Sequence, residues 1–387
     1  MKNEFNGERL KLARTYRNYT ISDFAKKINV TKQAVLQYEK GEIKPKSQTE
    51  FDIITTLRFP QEFFYQKEFQ GLKVENTFFR ALSSTKKIDL QTQETKTFFI
   101  VVIYNFLKNY FKLPILNIPR IQTSDYEKDI DKIASEVRNY WNLADQSIDN
   151  MVSLLEKNGI IVSTLNVDNQ KIDAFTQAHI VNNEEQYCVI LSNDKQSLAR
   201  RNFDAAHELG HILLHNRNIK NINDLTDEES KDLEKEANNF AAALLLPKDA
   251  FLKDLKFPKS LEHYKELKAK WRVSIAAMIM RARQLQKIDN EEYLELMKQM
   301  SYKKWRTTEP LDKEWKLQEV ILFKKCIDML KSYNVLSASN FIKTLSDYGL
   351  PMYSEDLEEL LDLASGTLSE TFENNILFNP NFTNTNV

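Results

Sequence analysis

The sequence predicts a mainly α-helical protein with one small β-sheet, and three observations carry that reading. Only 7 glycines and 9 prolines punctuate 387 residues, too few turn formers for a loop-rich β architecture. Runs such as 125–157 and 290–331 pass without a cluster of turn residues, which leaves room for long helices. β-rich segments are confined to one stretch between 160 and 191. The length suits two or three domains, and 42% hydrophobic with 28% charged residues is ordinary for a folded, water-soluble chain.

Cys188 and Cys326 belong to no paired spacing, so neither a disulfide framework nor a cysteine metal site is expected, as in a reducing cytoplasm. The polar first ten residues do not read as a secretory signal. The longest apolar run, Phe98 to Tyr104, is far too short for a bilayer. The expected location is therefore the cytoplasm, with no membrane partner. Net charge is −1, yet residues 1–60 hold 12 Lys/Arg against 7 Asp/Glu. A basic module on an acidic body suits tethered DNA binding.

Residues 7–17 read as a short amphipathic helix. Thr20 opens a second helix through Ile28, with Asp23 as its acidic capping partner. Asn29 suits the left-handed residue of a tight turn. Thr31 caps a third helix, Lys32 to Lys40, which Gly41 closes. Phe24, Ala25, Ile28, Val30, Val35 and Leu36 supply its apolar set. Two helices joined by a short turn, the second basic and rich in amides, make a helix-turn-helix. RLKLAR, TISDFAKKINVTKQAVLQYEKGEIKP and FPQEFF resemble the Cro/lambda-repressor class of helix-turn-helix domains, a five-helix type. That resemblance implies that the third helix enters the major groove of double-stranded DNA, an operator, with Thr31, Lys32, Gln33 and Gln37 at the contact. Dimerisation is expected with it.

Farther on, Thr85 to Lys112 reads as one long helix, apolar all round in its middle and hence buried. A second spans about 125–142. Strands are expected at 160–165, 173–181 and 187–191, directly before the motif that carries chemistry. Helices follow to a polar tail, NPNFTNTNV, expected to be disordered.

That motif is His207-Glu208-Leu-Gly-His211. Histidines four apart share one face of a helix, about 6 Å from each other, and can chelate one metal ion. Glu208 falls off their line, placed to act on water as general base and not on the metal; zinc acidifies a bound water towards pKa about 7. A catalytic zinc needs a third protein ligand and an open fourth position. The elongated motif with a third histidine would need Gly at 214 and His at 217, where Leu214 and Arg217 stand. His215 lies roughly 12 Å from His207 by helix rise, too far to share the ion. A second helix, Leu233 to Leu244, offers Glu236, on the face of Leu233, Phe240 and Ala243, where a carboxylate wants a cation. Asp232 and Glu234 compete for the role. His179 is a weaker oxyanion candidate, Arg200 and Arg201 precede the motif helix, and His263 reads as surface.

AHELGHILLH followed by EKEANNFAAALLLP resembles the ImmA/IrrE family of zinc metallopeptidases. FFRAL near 78, IDAF at 172, WRVSIAAMIMRARQL at 271 and KKWRTTEP at 303 extend the likeness to the subset with a fused helix-turn-helix domain. The resemblance implies a gluzincin-like metallopeptidase domain with His207, His211 and Glu236 as zinc ligands and Glu208 as general base. It also implies a protein substrate, a repressor or other regulator. The expected organisation is helix-turn-helix at 1–68, helical connector at 69–145, metallopeptidase at 146–285 and a C-terminal helical region at 286–387. Three readings stay open: a regulatory protease, a transcription regulator whose metal domain is a sensor or interaction module, and an antitoxin-like binding protein.

Overall fold

The computed structural model describes residues 4–81, 86–121, 129–165, 172–192, 197–216, 225–317 and 319–369. The expected disordered tail lies outside them. Four helices open the chain: α1 (Gly7–Tyr16), α2 (Ile21–Lys27), α3 (Lys32–Glu39) and α4 (Ser47–Leu57), followed by a 3-10 turn at Gln61–Tyr65. Side-chain caps start three of them, since Asn6, Thr20 and Thr31 accept from the backbone N–H of Glu8, Asp23 and Ala34. Asn29 takes the left-handed conformation expected of it, φ 53°. Phe24, Ala25, Ile28 and Val35 are buried where α2 and α3 meet, while Val30 and Leu36 are only partly covered. A buried ion pair, Arg14 Nε to Glu39 Oε1 at 2.5 Å, ties α1 to the end of α3.

The next stretch departs from expectation. Residues 69–145, read as a helical connector, begin with a strand, β1 (Leu72–Ala81), before α5 (Lys87–Leu107) and α6 (Ile130–Tyr140). The correction has a physical source. β1 forms by pairing with a strand about a hundred residues later, and such a non-local partner leaves little trace in local pattern. Then come α7 (Met151–Lys157), β2 (Ile161–Leu165), β3 (Ile172–Val181), β4 (Glu184–Ser192) and α8 (Leu198–Gly210), which continues as a π-helical turn through His211–His215. α9 (Asp227–Leu245), α10 (Lys248–Asp254), α11 (Leu261–Trp271), α12 (Ile275–Gln284), α13 (Asn290–Tyr302), α14 (Leu322–Ser332), α15 (Ala338–Tyr348) and α16 (Ser354–Leu360) complete the described elements.

The sheet runs β1-β3-β4-β2, antiparallel except for the β2–β4 pair. It is a wall between two cores. Ala174, Ala178, Tyr187, Val189 and Leu191 face α6 to α13. Phe175, Cys188 and Ile190, their neighbours in the strands, face the other way, as period-2 alternation requires. On that side the apolar middle of α5 is buried with the N-terminal helices and α14–α16 in one continuous core. Arg17, the C-cap of α1, reaches Asp356 of α16 through both carboxylate oxygens, at 2.5 and 2.6 Å. Thr15 and Thr95 join hydroxyls at 2.9 Å. The N-terminal helices are thus packed onto the body.

Among the described residues no helix is long and apolar enough to cross a membrane.

Candidate metal centre

α8 and α9 cross at a close contact that glycine makes available. A Cβ on Gly210 would meet Ala237 Cα at 3.1 Å and Phe240 Cδ1 at 3.2 Å. The two small residues let the helix of His207 and His211 lie against the one carrying the acidic candidates. Asn216 anchors the far end of the π turn: its amide donates to the Tyr187 hydroxyl at 3.1 Å, and Asn76 of β1 reaches its side-chain oxygen at 3.5 Å.

His207 and His211, both buried, turn their Nε2 atoms towards each other at 3.0 Å. The carboxylate that meets them is Glu234, with Oε1 3.2 Å from His211 Nε2 and Oε2 3.4 Å from His207 Nε2. One ligand atom from each of these three residues lies within 4.8 Å of the others, and Glu236 is not in the group. Glu236, expected as third ligand, is thus not the carboxylate that the structure brings to the two histidines. Its carboxylate sits on His215 Nε2, at 3.0 Å. α9 is buried nearly all round from Phe240 to Leu245. Apolar residues there do not mark the face that meets the histidines. Glu234 shares that face with Asn238, one turn on, whose Oδ1 lies 3.1 Å from His207 Nδ1. Asp232 is exposed.

The donor set fits a metal ion. Two nitrogens each about 2.0–2.1 Å from a tetrahedral zinc stand about 3.3 Å apart, and the three separations here are 3.0, 3.2 and 3.4 Å. Proton placement points the same way. His207 Nδ1–H donates to the Asn238 carbonyl oxygen, a tautomer whose lone pair is at Nε2. Burial, opposed by the Glu234 hydrogen bond, pushes the His211 imidazolium down to about 4, so the ring is neutral near pH 7. Burial would raise the Glu234 carboxyl, but the closeness of His207 and His211 outweighs it and holds the group well below the usual range. Two imidazole nitrogens and a carboxylate aimed at one point form a coordination set.

Glu208, fully buried, stands beside this set with Oε2 accepting from the Thr176 hydroxyl at 2.7 Å. Thr176 pairs across the sheet with Phe78 of β1, and directly opposed residues share a face. Phe78 accordingly stacks on the His211 ring, centroids 5.3 Å apart. None of Thr176, Phe78 and Asn238 was singled out from the sequence. The amide one turn after Glu234 was the only local hint.

The remaining candidates lie elsewhere. His179 is on the opposite face of β3 from Thr176, three residues away, so it is no oxyanion donor; burial drives its pKa down to about 3. Arg201 donates to the Ser192 carbonyl at 3.1 Å and Arg200 pairs with Asp204, fixing the start of α8. His263 bonds the backbone at Lys256 and Asp254. On α3, Thr31, Lys32 and Gln33 are exposed and Gln37 half-buried, as a nucleic-acid contact would need.

Residues 155–283 match the family model described as the IrrE N-terminal-like domain, Peptidase M78, and residues 10–57 match the one described as helix-turn-helix. No curated protein matches the chain.

Proposed function

We propose that this chain, which carries an IrrE-like Peptidase M78 domain behind a helix-turn-helix domain, is a DNA-binding regulatory zinc metallopeptidase that cleaves a protein regulator such as a repressor. The observation that carries the reading is the convergence of His207, His211 and Glu234 beside the buried Glu208. The first three would hold a divalent ion, which would supply Lewis-acid chemistry for acidifying water and polarising a carbonyl. Glu208 is the general base: it takes the proton of the attacking water and passes it to the leaving amine. Thr176 holds that carboxylate in place, and Phe78 closes the apolar side of the site against His211. β1, at the edge of the sheet, is the strand along which an extended substrate segment would lie.

The test is incubation of the full chain and zinc with repressors encoded beside its gene. Cleavage that a chelator abolishes and zinc restores supports the reading. Stoichiometric zinc with every candidate left intact would instead favour the sensor role.

The DNA contact predicts its own result. Because α1 and α4 share a core with α5 and α14–α16, the whole chain is the form to assay. It is expected to bind duplex DNA with a steep salt dependence, as a dimer on a two-fold site. Lys32→Ala should weaken all sequences alike, whereas Gln33→Ala should cost about 1–3 kcal/mol of discrimination at one base pair. Absence of any duplex binding at low salt sinks the DNA role.

A further inference from the structure

His215 is a buried histidine in contact with the metal set yet outside it. Its Nδ1 lies 3.0 Å from His211 Nδ1, on the side of that ring away from His207, and its Nε2 lies 3.0 Å from Glu236 Oε2. The π-helical turn places it there: the Asn216 N–H bonds the carbonyl of His211, at 3.1 Å, five residues back. Such turns inside α-helices gather at functional sites.

Chemistry gives this chain of groups a direction. A carboxylate only accepts hydrogen bonds, so His215 must donate to Glu236 from Nε2. A neutral His215 then has no proton on Nδ1, which can only accept, and the donor facing it is His211 Nδ1–H. With its proton on Nδ1, His211 presents a bare lone pair at Nε2, towards His207 and Glu234. Within the His211–His215–Glu236 chain, reversing either link leaves two donors or two acceptors face to face; the acceptors left at His207, His211 and Glu234 are matched only when a cation stands between them.

We infer that His215 and Glu236 are positioning residues, a histidine–carboxylate relay that fixes the tautomer and ring orientation of His211 for metal binding. The inference rests on the ligand set proposed above. It gives Glu236 a role one shell further out than the sequence suggested. Partners of this kind orient metal-binding imidazoles, and their loss typically lowers metal affinity about 10–100-fold. His207 meets Asn238 at its Nδ1; among the described residues, His211 is the ligand candidate joined to a carboxylate through a second imidazole.

The test uses the full chain, zinc alone as probe, chelator competition for affinity and nitrogen NMR of the labelled histidines for tautomers. There are only five histidines to assign. Glu236→Ala and His215→Leu are expected to lower zinc affinity about 10–100-fold. In both, the metal-free His211 should shift from the Nδ1–H form to a tautomer mixture. His215→Gln keeps an acceptor for His211 and a donor for Glu236, and Glu236→Gln keeps an acceptor for His215. Both should hold affinity within a few-fold of the parent and preserve the tautomer. A purely packing role predicts the opposite order, with His215→Leu tolerated as well as His215→Gln and no change at His211. That result, or unchanged affinity in Glu236→Ala, overturns the relay. Failure of the underlying ligand set looks different, because Glu234→Ala would then retain zinc.

Discussion

Glu208→Gln is expected to lower peptidase activity by about two to four orders of magnitude, the usual worth of a general base, while zinc stays bound at near-parent affinity. The amide is close to isosteric and still accepts from Thr176, so the buried pocket around Glu208 has no reason to collapse. What it cannot do is take a proton. Glu208 is adjacent to His207 in the chain but on another side of the helix, and it is absent from the cluster of ligand atoms. Metal binding and catalysis should therefore separate cleanly. Thr176→Val, which removes a hydroxyl that holds that carboxylate at 2.7 Å, should give a smaller loss of turnover with unchanged zinc. Steady-state cleavage and metal content, measured on the same preparations, decide the matter. A Glu208→Gln chain whose activity merely follows its zinc content would move Glu208 out of the base role.

Glu234→Ala should cost far more zinc affinity than the loss of an outer partner, about 10–100-fold, because it removes one of the three proposed ligands. Metal-free stability should change little. Without an ion, Glu234 faces two imidazole nitrogens, and its side chain is 35% exposed, so no large apolar contact goes with it. Adding zinc should raise the melting temperature of the parent and do much less for the variant, since binding energy appears as folding energy. The comparison variant is Asp232→Ala, at the exposed start of the same helix, which should titrate like the parent. Full zinc retention in Glu234→Ala, with loss in Asp232→Ala, would reassign the ligand. Chelator competition on both chains, with thermal melts plus and minus zinc, reads all of this.

The sequence by itself determined what is local. Caps at Thr20 and Thr31, the left-handed Asn29 and the buried stripe of α2 and α3 are properties of a few adjacent residues. The helix-turn-helix was therefore visible with its boundaries nearly right. The spacing of His207 and His211 is a statement about one helix, and so is the displacement of Glu208 from their line. The long buried helix α5 and three of the four strands announced themselves by composition and period in the same way. Tertiary structure decided the rest, because it depends on how distant elements are rotated against one another. β1 exists through its pairing with β3. The third carboxylate depends on the turn of α9 about its own axis, which the Gly210–Ala237 crossing sets. A helix lined with alanines on every side carries no stripe from which that turn can be read. The π-helical turn is likewise invisible to a 3.6-residue period. It brings His215 between His211 and Glu236, so that the residue chosen from the sequence as a ligand stands one hydrogen-bonded imidazole away from His211.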